Sequence, residues 1–243
     1  MYEKYQTELS WNYIKETTDK LSKPVVVIGG WAVYFLVRDK FKEMYGKDYL
    51  GSKDLDLGYS LKENNLEESN LFKDIKYLEK EGFRLIGFRL MQEFHTETKK
   101  KLSQEESKMI SSAFIHHIYI DLVVNKIPKN FKKTFGFDPI DEPLLDLVFS
   151  GKNVKIDKFI IPNPEVMLAM KLNSVLERDK EHKRVKDICD IFSLIYCSVN
   201  LNEFYKIYNR IKARNTLKDL DVVSASELLD IDKSIIKRVF DEV

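Results

Sequence analysis

The sequence predicts a mixed α/β domain followed by a helical domain. Short apolar runs typical of buried strands, at residues 25–28 and 114–124, alternate with segments whose apolar residues recur at helical spacing. From Pro164 onward only the helical spacing remains, and Pro162 and Pro164 mark the change. We therefore expect an α+β domain with a mixed sheet over residues 1–162 and a helical domain over residues 163–243.

The composition is that of an ordinary folded protein. Of the 243 residues, 44% are hydrophobic and 33% are charged, and the formal net charge of +1 argues against a protein that coats nucleic acid by bulk charge. The longest uncharged apolar run, residues 24–37, is too short to cross a bilayer, and the first residues lack an apolar signal segment. Cys189 and Cys197 lie too far apart on one predicted helix to form a disulfide. We expect a cytoplasmic protein without a membrane partner.

The predicted elements follow one another along the chain. Helical spacing covers residues 3–21, 31–37 with an extension into 38–50, 71–78 up to Gly82, and several segments after Pro164. Strand patterns cover residues 25–28, 51–57, 83–94 and 114–124, and a hairpin is predicted between residues 144–150 and 154–161. The polar residues 96–107 predict a mobile loop or a hairpin tip.

Two aspartates occupy alternate positions of the second predicted strand. Because side chains alternate along a strand, Asp54 and Asp56 share one face, while Leu55 and Leu57 point to the core. Their Cα atoms would lie about 6.6 Å apart, which suits two divalent metal ions roughly 3.5–4 Å apart. The alternative is an ordinary solvated strand face.

A glycine pair joins the first strand to the first long helix. Gly29 and Gly30 would let a phosphate approach backbone amides at a helix N-terminus, where the helix dipole favours an anion. The alternative is a simple tight turn. The order strand, Gly-Gly, helix, Asp-x-Asp strand favours a phosphoryl-transfer site.

A third acid lies in the strand at residues 114–124. Asp121 is a lone carboxylate in a strongly apolar run, which predicts that it faces a solvent-open site or a metal. His116 and His117 precede it without a Cys or carboxylate at zinc spacing, so we interpret them as strand histidines, with His117 on the Asp121 face.

A basic segment follows that strand. It carries four lysines with phenylalanines between them, namely Lys126, Lys129, Lys132, Lys133, Phe131, Phe135 and Phe137. One interpretation is a solvated loop with aromatic anchors. The other is a basic lip that meets triphosphate or an RNA backbone, with aromatic rings available for stacking.

Several of these motifs resemble those of a known superfamily. Gly29-Gly30, the Asp54-x-Asp56 strand and Asp121 resemble the nucleotidyltransferases with a polymerase-β-type fold. The chain looks most similar to the abortive-infection (AbiEii-like) toxin nucleotidyltransferases, because Ser52-Lys53-Asp54-Leu55-Asp56 is similar to their Ser-x-Asp-x-Asp strand. Their helical motifs are matched by Pro164-Glu165, by residues 168–172 with Arg178 seven positions after Lys171, and by residues 186–190.

The resemblance implies a function and a set of roles. It implies transfer of a nucleoside monophosphate from an NTP to an acceptor hydroxyl, with two Mg²⁺ ions (or Mn²⁺) held by Asp54, Asp56 and Asp121. Lys171 would contact the nucleotide phosphates, and Asp187 would support Lys171 or the acceptor. The nucleotide-binding residues would be Gly29, Gly30, Ser52, Lys53, Lys171 and Arg178. The acceptor would be an RNA 3′ end, such as that of a tRNA, and an antitoxin protein would be a partner.

Departures from the family pattern and other interpretations remain open at this point. The gap between Gly30 and Asp54 is longer than in the family, and Leu50 occupies a position that is often basic, with Lys47 or Lys53 as stand-ins. The charged residues after Pro164 could instead form an interhelical salt-bridge set, and either Asp187 or Asp190 could be the functional acid. The alternative functions are a small-molecule, antibiotic-type nucleotidyltransferase and a non-catalytic interaction module.

Overall fold

The fold is organised around one mixed β-sheet, and the computed structural model describes residues 4–243. Nine strands form the sheet within these residues: β1 Val26–Ile28, β2 Leu55–Tyr59, β3 Arg84–Ile86, β4 Arg89–His95, β5 Lys101–Leu102, β6 Ile115–Val124, β7 Ile140–Asp141, β8 Asn153–Ile156 and β9 Phe159–Pro162. The main order is β3-β4-β6-β2-β1-β9-β8, with β5 paired to β4 and β7 paired to β6. The predicted mixed sheet is therefore confirmed.

Helices flank the sheet and make up the chain after β9. Those before β9 are α1 Lys4–Lys20, α2 Gly29–Tyr45, α3 Asn70–Lys80, α4 Gln104–Met109, α5 Phe131–Phe135 and α6 Leu145–Phe149. Those after it are α7 Pro164–Ser174, α8 Glu181–Cys197, α9 Leu201–Phe204, α10 Arg210–Lys218, α11 Val223–Leu229 and α12 Lys233–Asp241. The predicted helical C-terminal region is confirmed. No helix in residues 4–243 combines the length and the apolar character needed to span a membrane.

Strand β1 and helix α2 form the local unit that the sequence indicated. All three residues of β1 are buried between its partners β2 and β9. Helix α2 follows without a loop and buries Trp31 and Phe35 in the hydrophobic core. It ends at Gly46, whose φ of 67° allows its amide to donate a hydrogen bond to the Lys42 carbonyl oxygen. The core continues from this unit into α7 and α8, and the predicted division at residue 162 stays a prediction.

The second strand begins later than predicted. Strand β2 starts at Leu55, so Asp54 lies in a bend before it and is not a strand residue, although Asp54 and Asp56 line the same cleft. The reason is the shortness of β1, whose last residue Ile28 pairs with Asp56 before the chain turns into α2. Leu55 pairs only with Ile120 of β6, and the chain before it has left the ladder.

Three other predicted elements differ from the structure. Residues 83–94 form a hairpin instead of one strand, because Gly87 with φ of 61° turns the chain between β3 and β4. Residues 145–149 form helix α6, since Leu145 and Val148 are buried at helical spacing, and the hairpin is made by β8 and β9. The segment at residues 96–107 begins with the tip of the antiparallel β4–β5 hairpin, as one of the two alternatives predicted, but it then continues into β5 and the start of α4, where Ser103 and Glu106 form a capping box.

Candidate active site

The glycine pair lies against Asp56 and Ser52 at the start of α2. Gly29 has φ of 66°, and a Cβ atom on it would lie 1.9 Å from Oδ2 of Asp56. A Cβ atom on Gly30 would lie 2.9 Å from Oγ of Ser52, which donates a hydrogen bond to the Asp54 carbonyl oxygen at 3.1 Å. No side chain caps this end of the 17-residue helix. The Asp56 carboxylate therefore lies against the start of α2 at a distance that only glycine permits.

Two of the three predicted aspartates are neighbours in the sheet. Strands β2 and β6 run parallel, and Asp56 is the direct register partner of Asp121. Adjacent strands lie about 4.8 Å apart, so the two carboxylates project from neighbouring positions. Asp54 approaches them from the bend before β2. Oδ1 of Asp54 and Oδ1 of Asp121 are buried and have no hydrogen-bond partner within the described chain.

Crowding of these carboxylates shifts their proton affinity. Burial, the charge of Asp121 and the charge of Asp54 together raise the pKa of Asp56 to about 7. Burial also raises the pKa of Asp121, against the opposing charge of Arg89, while Asp54 adds to the rise. A cation placed between the carboxylates would relieve both shifts.

One carboxylate oxygen of Asp121 already accepts a hydrogen bond from an arginine. Arg89 on β4 is the register partner of Asp121 on β6, and its Nη2 donates to Oδ2 of Asp121 at 2.7 Å. The guanidinium also lies over the rings of Phe88 and Tyr119, at 5.0 and 4.8 Å from their centroids. Arg89 is thus held as a fixed cation at the edge of the carboxylate group.

The carboxylate oxygens of these aspartates suit Mg²⁺ chemically. Their side chains, however, are not arranged as a complete set of metal ligands. Hard carboxylate oxygens are the protein ligands that Mg²⁺ prefers, and two buried ones are unpaired here. Nevertheless, across residues 4–243 no group of three or more His, Cys, Asp or Glu side chains is arranged to hold a metal. One physical reason is the Arg89 contact, which takes up an oxygen of Asp121. The metal site stays a prediction.

Most of the predicted site residues meet in one cleft. It is lined by Gly29, Gly30, Ser52, Asp54, Asp56, Asp121, Lys171, Arg178 and Asp187, together with Lys183, Lys186 and Asp190. Lys53 does not line it. Instead, Lys53 lies near His116, where burial first and the Lys53 charge second lower the pKa of the imidazole to about 4. Lys47, the other proposed stand-in, pairs with Asp230 at 3.1 Å.

The wall of the cleft opposite the aspartates is a buried ion-pair network. Nζ of Lys171 lies 2.5 Å from Oδ1 of Asp187 and 2.7 Å from Oδ2 of Asp190, and its side chain is 6% exposed. Nε of Arg178 lies 2.7 Å from Oδ2 of Asp187. Burial alone would lower the pKa of Lys171, but its two carboxylate partners raise it. Lys171 is therefore a cation whose donors are directed at protein carboxylates, as the salt-bridge interpretation expected.

Asp190 has partners of its own in this network. The hydroxyl of Tyr49 donates to Oδ1 of Asp190 at 2.6 Å, and Lys186 pairs with the same carboxylate. Asp187 joins Lys171 to Arg178, whose pKa is raised by Asp187 and also by Asp56 and Asp121 against the effect of burial. Through Arg178, Asp187 thus connects the network to Asp56 and Asp121, while Asp190 anchors the loop after α2 to α8.

The lysine-rich segment lies away from the cleft. It begins after β6, where Val124 pairs with Tyr59 at the end of β2 remote from Asp54. Lys126 follows Asp121 by five positions, and the first three of the residues between them continue strand β6 at about 3.3 Å each. Lys132 pairs with Asp138 at 2.6 Å, and Phe131 and Phe137 are buried, so these two rings are aromatic anchors and are not available for stacking.

Sequence reasoning missed two participants in the site. Arg89 and Tyr49 carry no local motif, and only the β4–β6 register and the buried Asp190 contact connect them to it. Asp190 had been left as an alternative to Asp187. A strand arginine opposite a lone acid is a usable signal only when the pairing of the strands is known.

Comparisons with known proteins give little beyond this geometry. No family model matches the chain, and no curated protein matches it significantly. Among solved structures, the chain is similar to an antigenic nucleotidyltransferase-like protein from Paracoccidioides brasiliensis, with 15% identity and a TM-score of 0.47 over 96% of this chain and 92% of the other. We base no assignment on a likeness of this size.

Proposed function

We propose that the chain is a nucleotidyltransferase, which moves a nucleoside monophosphate from an NTP to an acceptor hydroxyl. The observation that carries the proposal is the pairing of Asp56 with Asp121, next to Asp54 and opposite the uncapped N-terminus of α2 at Gly29 and Gly30. It joins an acidic group suited to divalent cations with a backbone cradle suited to phosphate.

The residues that line the cleft have different roles in the proposed reaction. The amides at Gly29 and Gly30 bind the phosphates, and Lys183 and Arg178 add positive charge on the opposite side. Asp54, Asp56 and Asp121 would hold Mg²⁺. When bound, Mg²⁺ neutralises charge on the attacking and leaving oxygens of phosphoryl transfer. Lys171 and Asp187 hold Arg178 and helix α8 in place.

The reaction is a single displacement at the α-phosphorus. The acceptor hydroxyl oxygen forms a bond to that phosphorus, and the bond to the oxygen that bridges to the β-phosphate breaks. Pyrophosphate leaves with the electron pair, and the hydroxyl proton is released to water. The chain contributes position and charge and forms no covalent bond with the substrate.

The acceptor that we propose is an RNA 3′ end, with tRNA as the form that the family resemblance implies and an antitoxin as a partner. Cations near the start of α8, Lys183 and Arg184 among them, are available to an RNA backbone beside the cleft. Each phosphate contact adds about 0.7 to 0.9 to the slope of log affinity against log salt. RNA binding should therefore weaken with salt, and charge reversal at Lys183 and Arg184 should flatten the slope. The same reversal at Lys132 and Lys133, away from the cleft, serves as the matched control.

The test is incubation of the protein with total RNA, Mg²⁺ and each NTP in turn, labelled at the α-phosphate. We expect label on RNA with the wild type and none with Asp56→Asn. A small hydroxylated molecule that accepts label in place of RNA would leave nucleotidyl transfer standing and replace the acceptor. If no acceptor takes label and Mg²⁺ with NTP fails to stabilise the protein, the fold serves as a non-catalytic module and the proposal is wrong.

A further inference from the structure

A large pocket lies beside the catalytic cleft. Its volume is about 620 Å³, and it lies between α1, the loop after α2, the start of α8, and α11. Helix α1 closes one side directly, because a Cβ atom on Gly51 would lie 2.1 Å from Cγ2 of Thr7. Nothing in the proposed phosphate and metal chemistry uses this space.

The pocket and the cleft are neighbouring parts of one binding region. Lys186 lines both, and it lies over the ring of Tyr49, 5.1 Å from the ring centroid, while pairing with Asp190. Gly51 lines the pocket and the next residue, Ser52, lines the cleft. A ligand whose one end lies at the glycine pair can therefore extend past Ser52 into the pocket.

The two parts differ in chemistry. The cleft presents the cations Arg178 and Lys183 beside the helix N-terminus. The pocket instead has apolar walls from Leu50, Val185 and Leu228. Its polar lining includes the carboxylates of Glu181 and Glu227, with His182 and the Asp190-paired Lys186 beside them. Carboxylates repel phosphate but accept hydrogen bonds from ring and amino N–H groups, and apolar walls favour a flat ring. The pocket thus suits an uncharged heterocycle attached to an anionic group.

We propose that this pocket binds the nucleobase and ribose of the NTP whose phosphates lie at Gly29 and Gly30. The proposal rests on the proposed nucleotidyl transfer and adds the place and orientation of the nucleoside. The base lies between Leu50, Val185 and Leu228, and Glu227 and Glu181 accept hydrogen bonds from its edge. The phosphates point away from these carboxylates and toward Arg178 and Lys183.

The test compares two ligands in the absence of any acceptor. One is an NTP, and the other is tripolyphosphate, which lacks the nucleoside. Thermal stability is measured with Mg²⁺ and inorganic tripolyphosphate, and with Mg²⁺ and each NTP. We expect at least one NTP to bind the wild type about tenfold or more tightly than tripolyphosphate, since ring contacts of this kind are worth that much. Leu228→Trp fills the pocket and should remove this difference while leaving the tripolyphosphate response unchanged.

A matched variant and a second substitution keep the result interpretable. Val223→Trp adds the same ring on the same helix, at a residue that is 47% exposed and does not line the pocket, and it should bind NTP like the wild type. Val185→Trp fills the pocket from α8. It should give the result expected of Leu228→Trp and replaces that variant if Leu228→Trp folds poorly. Equal binding of NTP and tripolyphosphate to the wild type, or equal losses in the Leu228→Trp and Val223→Trp variants, would overturn the pocket assignment alone. Absence of any response to both ligands would instead overturn the proposed function.

Discussion

Arg89 and Asp121 face each other across the β4–β6 pair and share a hydrogen bond of 2.7 Å from Nη2 to Oδ2. The contact places a fixed positive charge on the carboxylate that we expect to hold a metal. It stabilises Asp121 in the metal-free protein and at the same time competes with a divalent cation for one of its oxygens.

Arg89→Gln should therefore have two opposite effects. The metal-free protein should lose about 1–3 kcal/mol of stability, because a buried carboxylate loses a charged hydrogen-bond partner. Its stabilisation by Mg²⁺ should exceed that of the wild type, because both oxygens of Asp121 become available. Thermal unfolding over a Mg²⁺ titration measures both.

Arg84→Gln is the control for this variant. Arg84 pairs with Glu93 at 2.5 Å in the same part of the sheet but outside the cleft, so the change should cost stability without altering the Mg²⁺ response. A Mg²⁺ response of Arg89→Gln no larger than that of the wild type would show that Arg89 does not compete for Asp121.

Lys171 should behave as a buried partner of two carboxylates. Lys171→Ala leaves Asp187 and Asp190 without their shared cation, and the expected loss is about 3–5 kcal/mol, as for breaking a buried ion pair. Lys42→Ala removes a pair with Asp48 whose side chains are 64% and 76% exposed, and it should cost less than about 1 kcal/mol. Urea unfolding of both variants gives the comparison, and similar losses would refute the buried-network interpretation.

The proton affinity of Asp56 predicts how stability depends on pH. Its pKa rises from an ordinary 3.8 to about 7 in the folded protein, so the folded state binds a proton over that range that the unfolded state has lost. The stabilising contribution of this proton is complete below pH 3.8 and is lost as the pH rises through 7. The metal-free wild type should therefore lose stability relative to Asp56→Asn between about pH 4 and about pH 7. A difference between the two proteins that stays constant with pH would contradict the shift.

The glycines at the two ends of helix α2, Gly29 inside it and Gly46 just after it, distinguish backbone strain from crowding at the site. Gly29 and Gly46 have φ angles of 66° and 67°, but a Cβ atom meets Asp56 at 1.9 Å in the first case and nothing within 4 Å in the second. Gly46→Ala should cost about 1 kcal/mol from the left-handed conformation alone. Gly29→Ala should cost more and should also abolish stabilisation by Mg²⁺ with NTP, which Gly46→Ala should retain. Calorimetry with and without the ligands distinguishes these outcomes.

The parts of the fold that were predicted from sequence are those with local signals. The apolar run of β1, the helical spacing of α2 and the long apolar β6 each carry their own pattern, and the structure has them where expected. The hairpin at Gly87 and helix α6 were missed, because a single glycine and two buried residues three positions apart are weak signals in short segments.

The candidate site was predictable only as far as its motifs are local. The glycine pair and the three aspartates stand out in the sequence, but the position of Asp54 before β2 depends on how β2 pairs with β1 and β6, which no local pattern gives. Arg89 lies at the site only because the β4–β6 register places it opposite Asp121, and the burial of Lys171 depends on how α7 packs on α8. These are long-range consequences of folding, so the charged residues after Pro164 could be interpreted in two ways from sequence alone.

The central claim is that the chain cleaves an NTP between its α- and β-phosphates and keeps the α-phosphate on the acceptor. The direct measurement follows two otherwise identical reactions with total RNA and Mg²⁺, one with NTP labelled at the α-phosphate and one with NTP labelled at the γ-phosphate. We predict that the α-label is transferred to the acceptor and that the γ-label is released in pyrophosphate, both only when Asp56 is intact. Transfer of the γ-label to the acceptor, or release of the γ-label as inorganic phosphate without any α-label transfer, would contradict the account.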